Sequence, residues 1–192
     1  CEARDILRHL PSLDPTEPCI VVAGSPNVGK SALITALSSG EPEVASYPFT
    51  TKQLHLGHFE HRRRAYQMVD TPGLLDRPMS ERNRIELQAI AALEHTGDVL
   101  LFLVDSSEGT TTPLEQQEHL LEEVKQLMSE RPMIVVHSKA DLIDELPQGA
   151  STPISAETGQ GLEELRSRLI EVIGADKVGD PLSLPEHWHR DE

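Results

Sequence analysis

The stretch AGSPNVGKSAL, residues 23–33, places two glycines, a proline, an asparagine and a lysine directly after an apolar run. That run, CIVVA at residues 19–23, has the length and composition of a buried strand. Residues 30–38, which follow the loop, have the pattern of a helix. Glycine in a loop costs conformational entropy on folding, so its use here indicates a backbone shape that other residues adopt poorly. The stretch therefore predicts a tight connection between a strand and a helix.

The spacing GSPNVGKS, residues 24–31, is G-x-x-x-x-G-K-S, which cradles phosphate when it lies between a strand and a helix. Gly24 and Gly29 allow backbone N–H groups to curl toward phosphate oxygens, and the helix start adds the positive end of its dipole. Lys30 is expected to reach the terminal phosphates, and Ser31 is expected to ligate Mg²⁺. A glycine-rich turn that holds no ligand is the alternative.

Strand and helix patterns alternate along the rest of the chain. Apolar runs predict further strands at residues 52–59, 64–69, 98–105, 132–137 and 150–155, and helical periodicity predicts helices at 81–95, 113–128 and 161–173. We predict an α/β fold of three layers, with a six-stranded sheet that is mostly parallel and has one antiparallel strand. This domain is expected to span residues 18–174, after a linker at 1–17 and before a tail at 175–192.

Local signals refine the ends of these elements. Residues 40–51 are predicted to form a loop without a strand. Ser80 and Thr112 are predicted to cap the second and third helices, because their hydroxyls can accept from the N–H groups that a helix start leaves unpaired. Gly174 is predicted to end the last helix.

Composition limits the classes of function. The 192 residues include 17 Lys and Arg against 32 Asp and Glu, a net charge of −15. Such an acidic surface argues against broad binding to nucleic-acid backbone, which needs clustered basic residues. No apolar run is long enough to span a bilayer, no signal peptide is evident, and the two cysteines form no disulfide framework. We expect a cytoplasmic monomer that does not associate with membranes.

A second motif, MVDTPGLLD at residues 68–76, follows a predicted strand. Asp70 at the strand end can hold a water molecule on Mg²⁺, and the N–H of Gly73 can meet a terminal phosphate. The neighbouring RPMSERNR, residues 77–84, is interpreted as a capped and charged helix start. Contact of its arginines with RNA or phosphate is the alternative.

Two further motifs predict a site for a purine base. HSKAD, residues 137–141, ends a strand, and Asp141 can accept two hydrogen bonds from guanine that adenine cannot supply. Lys139 can lay its methylene groups along the base plane. In ISAETG, residues 154–159, the N–H of Ala156 could reach the guanine oxygen, although this segment could instead be a simple helix cap.

These four motifs, in this order, resemble a GTP-binding G domain, and the resemblance covers about residues 18–174. GSPNVGKSAL, YPFTTK and DTPGLLDRP look like the Obg class of GTPases. YPFTTKQLHLGH followed by DTPGLLDRPMSERNRIELQAIAAL looks like the nucleolar GTP-binding protein (Nog) subfamily and its archaeal relatives. The resemblance implies slow hydrolysis of GTP to GDP and a role in large ribosomal subunit assembly. It also implies that ARDILRHLPSLDP, residues 3–15, leads out of a preceding helical domain.

The resemblance assigns roles to individual residues. Thr51, or alternatively Thr50, would complete the Mg²⁺ shell with Ser31 and with Asp70 acting through water. Asn27 would help to bind K⁺, unless it only serves a turn with an unusual backbone angle. Lys30, Thr51 and Gly73 would be catalytic. The residues expected to contact GTP or GDP are Gly24, Ser25, Pro26, Asn27, Val28, Gly29, Lys30, Ser31, Ala32, Ser138, Lys139, Asp141, Ser155, Ala156 and Glu157.

Two positions depart from the usual G-domain pattern. Leu74 replaces the glutamine that orients water in many GTPases, so we expect a low intrinsic rate. Ser138 replaces the asparagine of Asn-Lys-x-Asp and is expected to be too short to reach the phosphate loop, which would weaken guanine binding. Both departures leave open a degenerate G domain that only docks protein or RNA, and another P-loop enzyme such as an ATPase or small-molecule kinase is a further alternative.

Overall fold

A computed structural model describes residues 13–14, 16–46, 53–70, 72–73, 75–143 and 152–178. Its strands are β1 (Cys19–Ala23), β2 (Glu43–Ser46), β3 (Gln53–His61), β4 (Arg64–Asp70), β5 (Val99–Asp105) and β6 (Met133–Ser138). Its α-helices are α1 (Lys30–Leu37), α2 (Arg84–Thr96), α3 (Leu114–Leu127) and α4 (Leu162–Val178). Short 3₁₀ turns lie at Met79–Glu81 and Ala140–Leu142.

The six strands form one sheet in the order β2-β3-β4-β1-β5-β6. β1 pairs in parallel with β4 and β5, and β5 pairs in parallel with β6, whereas β3 is antiparallel to both of its neighbours. The prediction of a mostly parallel sheet with one reversed strand is therefore confirmed. Because β1, β4, β5 and β6 share one direction, their last residues, Ala23, Asp70, Asp105 and Ser138, meet at one edge of the sheet. Ligands in open α/β sheets bind outside this edge.

Helices cover both faces of the sheet and give the predicted three layers. Successive side chains of β1 enter opposite cores: Val21 packs with Leu93 of α2 and Val124 of α3, while Val22 lies in the other core. That second core contains Leu33 of α1 and Leu169 of α4. Every residue of β1 and β5 is buried, as expected for central strands covered on both faces.

One predicted strand and one predicted loop are wrong. The loop at 40–51 contains β2, whose Val44 is 60% exposed, so this short edge strand has little apolar patterning to reveal it. Of the strand predicted at 150–155, the described residues form only an isolated bridge between Pro153 and His137. Proline has no N–H to donate, so it continues a strand ladder poorly.

The predicted helix ends also need correction. α2 begins at Arg84, with Asn83 rather than Ser80 as its cap; Asn83 accepts from the N–H of Glu86 while the Glu86 carboxylate accepts from the N–H of Asn83. Pro113, not Thr112, precedes α3 and provides no side-chain cap. α4 continues through Gly174 to Val178, because a single glycine inside a helix costs only about 1 kcal/mol.

Several expectations concern residues that the structure does not describe. Thr51, its alternative Thr50, and Leu74 lie outside the described residues, as do most of the expected linker and tail. In the described part of the chain, no helix combines the length and the apolar character needed to cross a membrane.

Candidate functional site

The phosphate loop connects β1 to α1 through two glycines with positive φ. Gly24 has φ 139°, and a Cβ at this position would lie 2.6 Å from the carbonyl oxygen of Leu103. Gly29 has φ 98° and immediately precedes α1. Both positions therefore exclude side chains for backbone reasons, as the motif predicts.

Lys30 opens α1, and the loop folds around its ammonium group. Its Nζ donates to the carbonyl oxygens of Gly24 and Ser25 at 2.8 and 2.9 Å. Burial lowers the pKa of Lys30, and the nearby carboxylates of Asp70 and Asp76 oppose that shift. A lysine held by two neutral carbonyls is a cation that an anionic ligand at the loop would stabilise further.

The other predicted residues of the loop line the same turn. Ser25 and Val28 are buried, whereas Pro26 and Asn27 are exposed. Asn27 has φ 63°, so it occupies the left-handed conformation that asparagine tolerates, and its Nδ2 donates weakly to Thr111 Oγ1 at 3.4 Å. This conformation agrees with the turn role considered for Asn27.

Ser31 and Asp70 meet at the end of β4. The hydroxyl of Ser31 donates to Asp70 Oδ2 at 2.9 Å, and the Asp70 carboxyl is 1% exposed. Burial raises the pKa of Asp70, although the positive charge of Lys30 acts against this rise. Asp70 Oδ1 is buried and has no hydrogen-bond partner among the described residues. A buried carboxylate oxygen is rarely left unpaired, and hydroxyl and carboxylate oxygens suit Mg²⁺, so these residues fit a magnesium ion with its water.

A cavity of about 320 Å³ adjoins the other side of the phosphate loop. Its lining includes Val28, Gly29 and Ala32 of the loop and α1, Leu103 of β5, Ser138, Lys139 and Asp141 after β6, and Ala156 and Glu157. This volume is within the range of small-molecule sites. Ser155 is fully buried beside the cavity, and its hydroxyl accepts from the N–H of Thr158 at 3.1 Å. The predicted base residues are thus brought together at one pocket.

Ser138 does reach the phosphate loop, contrary to the sequence-based expectation. Its Oγ donates to the carbonyl oxygen of Val28 at 2.7 Å, with a longer contact of 3.2 Å to the carbonyl of Val104. The hydroxyl suffices because β6 ends beside the loop, so the short side chain has little distance to cross. The side chain at position 138 therefore joins the base cavity to the phosphate loop.

Lys139 is fixed by an acid that the sequence motifs did not identify. Its Nζ lies 2.6 Å from Asp105 Oδ2, and its backbone is left-handed with φ 56°. Burial acts to raise the pKa of Asp105, but hydrogen bonds from Lys139 and Ser107 outweigh it and leave that pKa below its ordinary value. The ion pair holds the lysine stem at the cavity wall.

The segment after Asp70 packs against the phosphate loop. The N–H of Gly24 donates to the carbonyl of Leu75 at 3.1 Å, and the N–H of Gly73 donates to Asp76 Oδ2 at 2.7 Å. Arg82, which is 9% exposed, donates to the carbonyls of Gly73 and Arg77. Both alternatives considered for this arginine, a surface charge at a helix start and a contact to an external ligand, are therefore wrong for Arg82. It bonds the backbone of the segment between β4 and α2 and helps to fix the shape of that segment.

Residues 19–139 match a protein family described as 50S ribosome-binding GTPase. The match spans more than half of the chain and includes the phosphate loop, Asp70 and Gly73. This chain belongs to the 50S ribosome-binding GTPase family.

Curated relatives narrow the position of the chain within this GTPase family. It is 36% identical over 192 residues to nucleolar GTP-binding protein 1 of Caenorhabditis elegans, covering 92% of this chain and 28% of that protein. It is 41% identical over 149 residues to the Drosophila melanogaster protein of the same name, covering 77% and 23%. It is 48% identical over 143 residues to an uncharacterized protein of Methanocaldococcus jannaschii, covering 74% and 39%. The chain thus spans well under half the length of these relatives, and the resemblance to the Nog subfamily is confirmed.

Solved structures of GTPases have the same fold. A Plasmodium falciparum chain described as nucleolar GTP-binding protein 1 superposes with a TM-score of 0.76 at 32% identity, covering 88% of this chain and 93% of that one. The G domain of the Thermotoga maritima FeoB iron transporter gives a TM-score of 0.67 at 25% identity, covering 81% and 98%. The match to an isolated G domain at this coverage confirms that the described fold is a G domain.

The names of these GTPases overturn one expectation. Their printed names place the worm and fly relatives in the nucleolus, so the cytoplasmic location inferred from the sequence is wrong. Cysteine content bears on whether a protein is secreted, and it carries no information about compartments inside the cell.

Sequence reasoning missed three residues that contact the candidate site: His55, whose Nδ1 lies 3.1 Å from Ser31 Oγ, Asp105, which pairs with Lys139, and Arg82, which bonds the carbonyl of Gly73. Asp105 lies 34 residues from Lys139, and His55 lies 24 residues from Ser31. No local spacing connects such partners. The one available signal was the acidic end of the apolar run 98–105, since polar residues that end parallel strands collect at one sheet edge.

Proposed function

We propose that this chain binds guanine nucleotide with Mg²⁺ and hydrolyses GTP to GDP slowly, as a switch in assembly of the large ribosomal subunit. The observation that carries the proposal is the Ser138–Val28 hydrogen bond, which joins the end of β6 to the phosphate loop beside a cavity lined by Asp141. The family description and the names of the relatives support the ribosomal part of the proposal.

Recognition of the base is assigned to Asp141 and the segment at 155–157. The carboxylate of Asp141 is exposed at the cavity and can accept from the two N–H donors on the guanine edge, a pair that adenine lacks. The Ala156 N–H would donate to the guanine oxygen, and Lys139, held by its ion pair with Asp105, would pack along the base.

Chemistry at the phosphate end is assigned to Lys30, Gly73 and the Ser31–Asp70 pair. Lys30 would exchange its two carbonyl contacts for phosphate oxygens and stabilise the charge that develops on the transferred group. Ser31, Asp70 and Thr51 would hold Mg²⁺, which when bound neutralises phosphate charge. The Gly73 N–H would leave Asp76 to meet the γ-phosphate, so GTP would reorganise the segment that Arg82 holds.

Asn27 is proposed to assist by holding K⁺ near the phosphates. A potassium ion there would supply the positive charge that an arginine provides in other GTPases. Hydrolysis should then be faster in K⁺ than in Na⁺, and Asn27→Ala should remove the difference. Equal rates in the two salts would contradict this role.

The test of the proposed function is a titration of the full chain with GDP, GTP and ATP in buffer containing Mg²⁺ and K⁺. Binding of GDP and GTP without ATP is the expected result, followed by single-turnover conversion of GTP to GDP. Equal binding of ATP would refute the guanine assignment. Guanine binding without cleavage, even with ribosomal particles present, would favour the docking module instead.

A further inference from the structure

We infer that His55 is a third donor of the metal site, which makes this site a mixed nitrogen and oxygen site with a preference for Mn²⁺ and similar transition ions over Mg²⁺. The inference rests on the proposed function in one respect: it takes Ser31 and Asp70 as the place where a metal ion binds. It adds a ligand that the phosphate-loop and Asp70 motifs do not include.

His55 lies on β3 directly opposite Asp70 of β4, in the pairing that the antiparallel register fixes. Its Nδ1 is 3.1 Å from Ser31 Oγ and 3.7 Å from Asp70 Oδ2, while the two oxygens are 2.9 Å apart. Three donor atoms from α1, β3 and β4 therefore form one small triangle.

The dimensions of this triangle suit a metal ion. Neighbouring ligands of an octahedral ion with bonds of about 2.1 Å lie about 3 Å apart, which matches the Ser31–Asp70 and Ser31–His55 separations, whereas the 3.7 Å between His55 and Asp70 is wider. An ion above the centre of the triangle can contact all three of them. Asp70 Oδ1 remains buried without a hydrogen-bond partner among the described residues, so the carboxylate has capacity beyond the Ser31 contact.

The chemical nature of the donor atoms determines which metal ions the site prefers. Mg²⁺ favours oxygen ligands, and the affinity of a site that contains imidazole rises along the first-row series from Mn²⁺, which also accepts oxygen ligands, toward Co²⁺ and Zn²⁺. Nowhere in the described ranges do three His, Cys, Asp or Glu side chains gather into a metal site, so this site depends on the serine hydroxyl as its third group. Removal of the imidazole should lower the preference for Mn²⁺ over Mg²⁺ about tenfold.

The test uses Mn²⁺ and the full chain with ¹⁵N-labelled histidine, first without nucleotide and then with GDP. Pulsed electron spin resonance detects nitrogen bound to Mn²⁺, and the ¹⁵N label separates histidine from guanine, lysine and amide nitrogen. Competition titration with Mg²⁺ gives the metal preference. The variants are His55→Phe and His55→Asn, with His58→Phe as the matched control because His58 is an exposed imidazole on the same strand.

We expect histidine nitrogen coupling in the wild type and in His58→Phe, and none in either His55 variant. Mn²⁺ binding without histidine coupling, or the same metal preference in all four proteins, would overturn the inference. Absence of Mn²⁺ binding in both states would overturn it as well. Histidine coupling in a chain that fails to bind GDP would support the metal ligand while refuting the proposed function.

Discussion

At the scale of single residues, Ser138 shows how a short side chain can replace a longer one when the backbone brings the partners close. Its hydroxyl is buried and donates to the Val28 carbonyl at 2.7 Å. The motif usually has asparagine, which is longer, at this position. From the sequence, serine was predicted to lose the contact with the phosphate loop. The contact indicates that much of the bridging role is kept.

Ser138→Ala should weaken GDP binding about five- to tenfold, because a buried carbonyl loses a hydrogen bond of about 1 kcal/mol. Isothermal titration of GDP measures the change. Ser129→Ala, at an exposed loop position, is the matched control and should bind like the wild type. Equal affinity in all three proteins would mean that the Ser138 bond is irrelevant to the ligand.

The ionised form of Asp70 is disfavoured by burial, which raises the pKa of this carboxyl. The folded state therefore holds a proton on this carboxyl at a higher pH than the unfolded chain does, and the contribution of Asp70 to stability falls as the pH rises through its folded pKa. Asp70→Asn stays neutral, so without Mg²⁺ it should melt at a higher temperature than the wild type at pH 7, with a smaller difference at pH 4.

Thermal unfolding in a chelator, at pH values from 4 to 8, measures this effect. Added Mg²⁺ should raise the melting temperature of the wild type and leave that of Asp70→Asn almost unchanged. A variant that melts lower than the wild type at pH 7 in chelator would show that the carboxylate is stabilised without a cation.

At the scale of elements, partly buried hydrogen bonds from Arg82 help to hold the segment between β4 and α2. Arg82 donates to two backbone carbonyls, and burial lowers its pKa while Asp76 acts against that shift. Arg77 pairs with Glu86 at 2.9 Å, and Glu86 also completes the Asn83 capping box. The start of α2 and the closed segment thus stabilise each other.

Arg82→Ala should increase hydrogen exchange at residues 72–82 and destabilise the fold by about 1 kcal/mol or more, because two partly buried carbonyls lose their donor. GDP affinity should change less than twofold, since Arg82 does not line the base cavity. Arg168→Ala on the exposed face of α4 is the control. Unchanged exchange at 72–82 would exclude the clamping role.

At the scale of the whole molecule, the sequence predicted what depends on local pattern. The two positive-φ glycines of the phosphate loop, the buried β5 and the position of Asp70 at a strand end follow from spacing and composition. β2 was missed because an exposed edge strand has little hydrophobic signal, and His55 and Asp105 were missed because their contacts exist only after the sheet assembles. The predictions of helix ends failed at α2, where Asn83 rather than Ser80 is the cap, and at α4, which continues through Gly174.

The rate at which the Cys19 thiol reacts is a measure of global unfolding. It is 2% exposed in β1, and burial raises its pKa to about 12, with a smaller effect from Asp98. In a Cys1→Ser background, a disulfide reagent at pH 8 should therefore label Cys19 only through unfolding. GDP with Mg²⁺ at a hundred times its dissociation constant should slow labelling about a hundredfold, equivalent to about 2.7 kcal/mol. Rapid labelling of the native chain would contradict this burial.

The hydrogen bond from Ser138 to Val28 joins positions 110 residues apart, and it connects the phosphate loop to the proposed base cavity. In the proposed complex a nucleotide would be a bidentate ligand, whose base and phosphates bind to these two joined surfaces. Guanosine and pyrophosphate added as separate fragments should bind independently of each other, because the hydrogen bond already joins their two sites before either fragment binds. Neither fragment alone should approach the affinity of the intact nucleotide, because only the covalently joined ligand gains the chelate advantage.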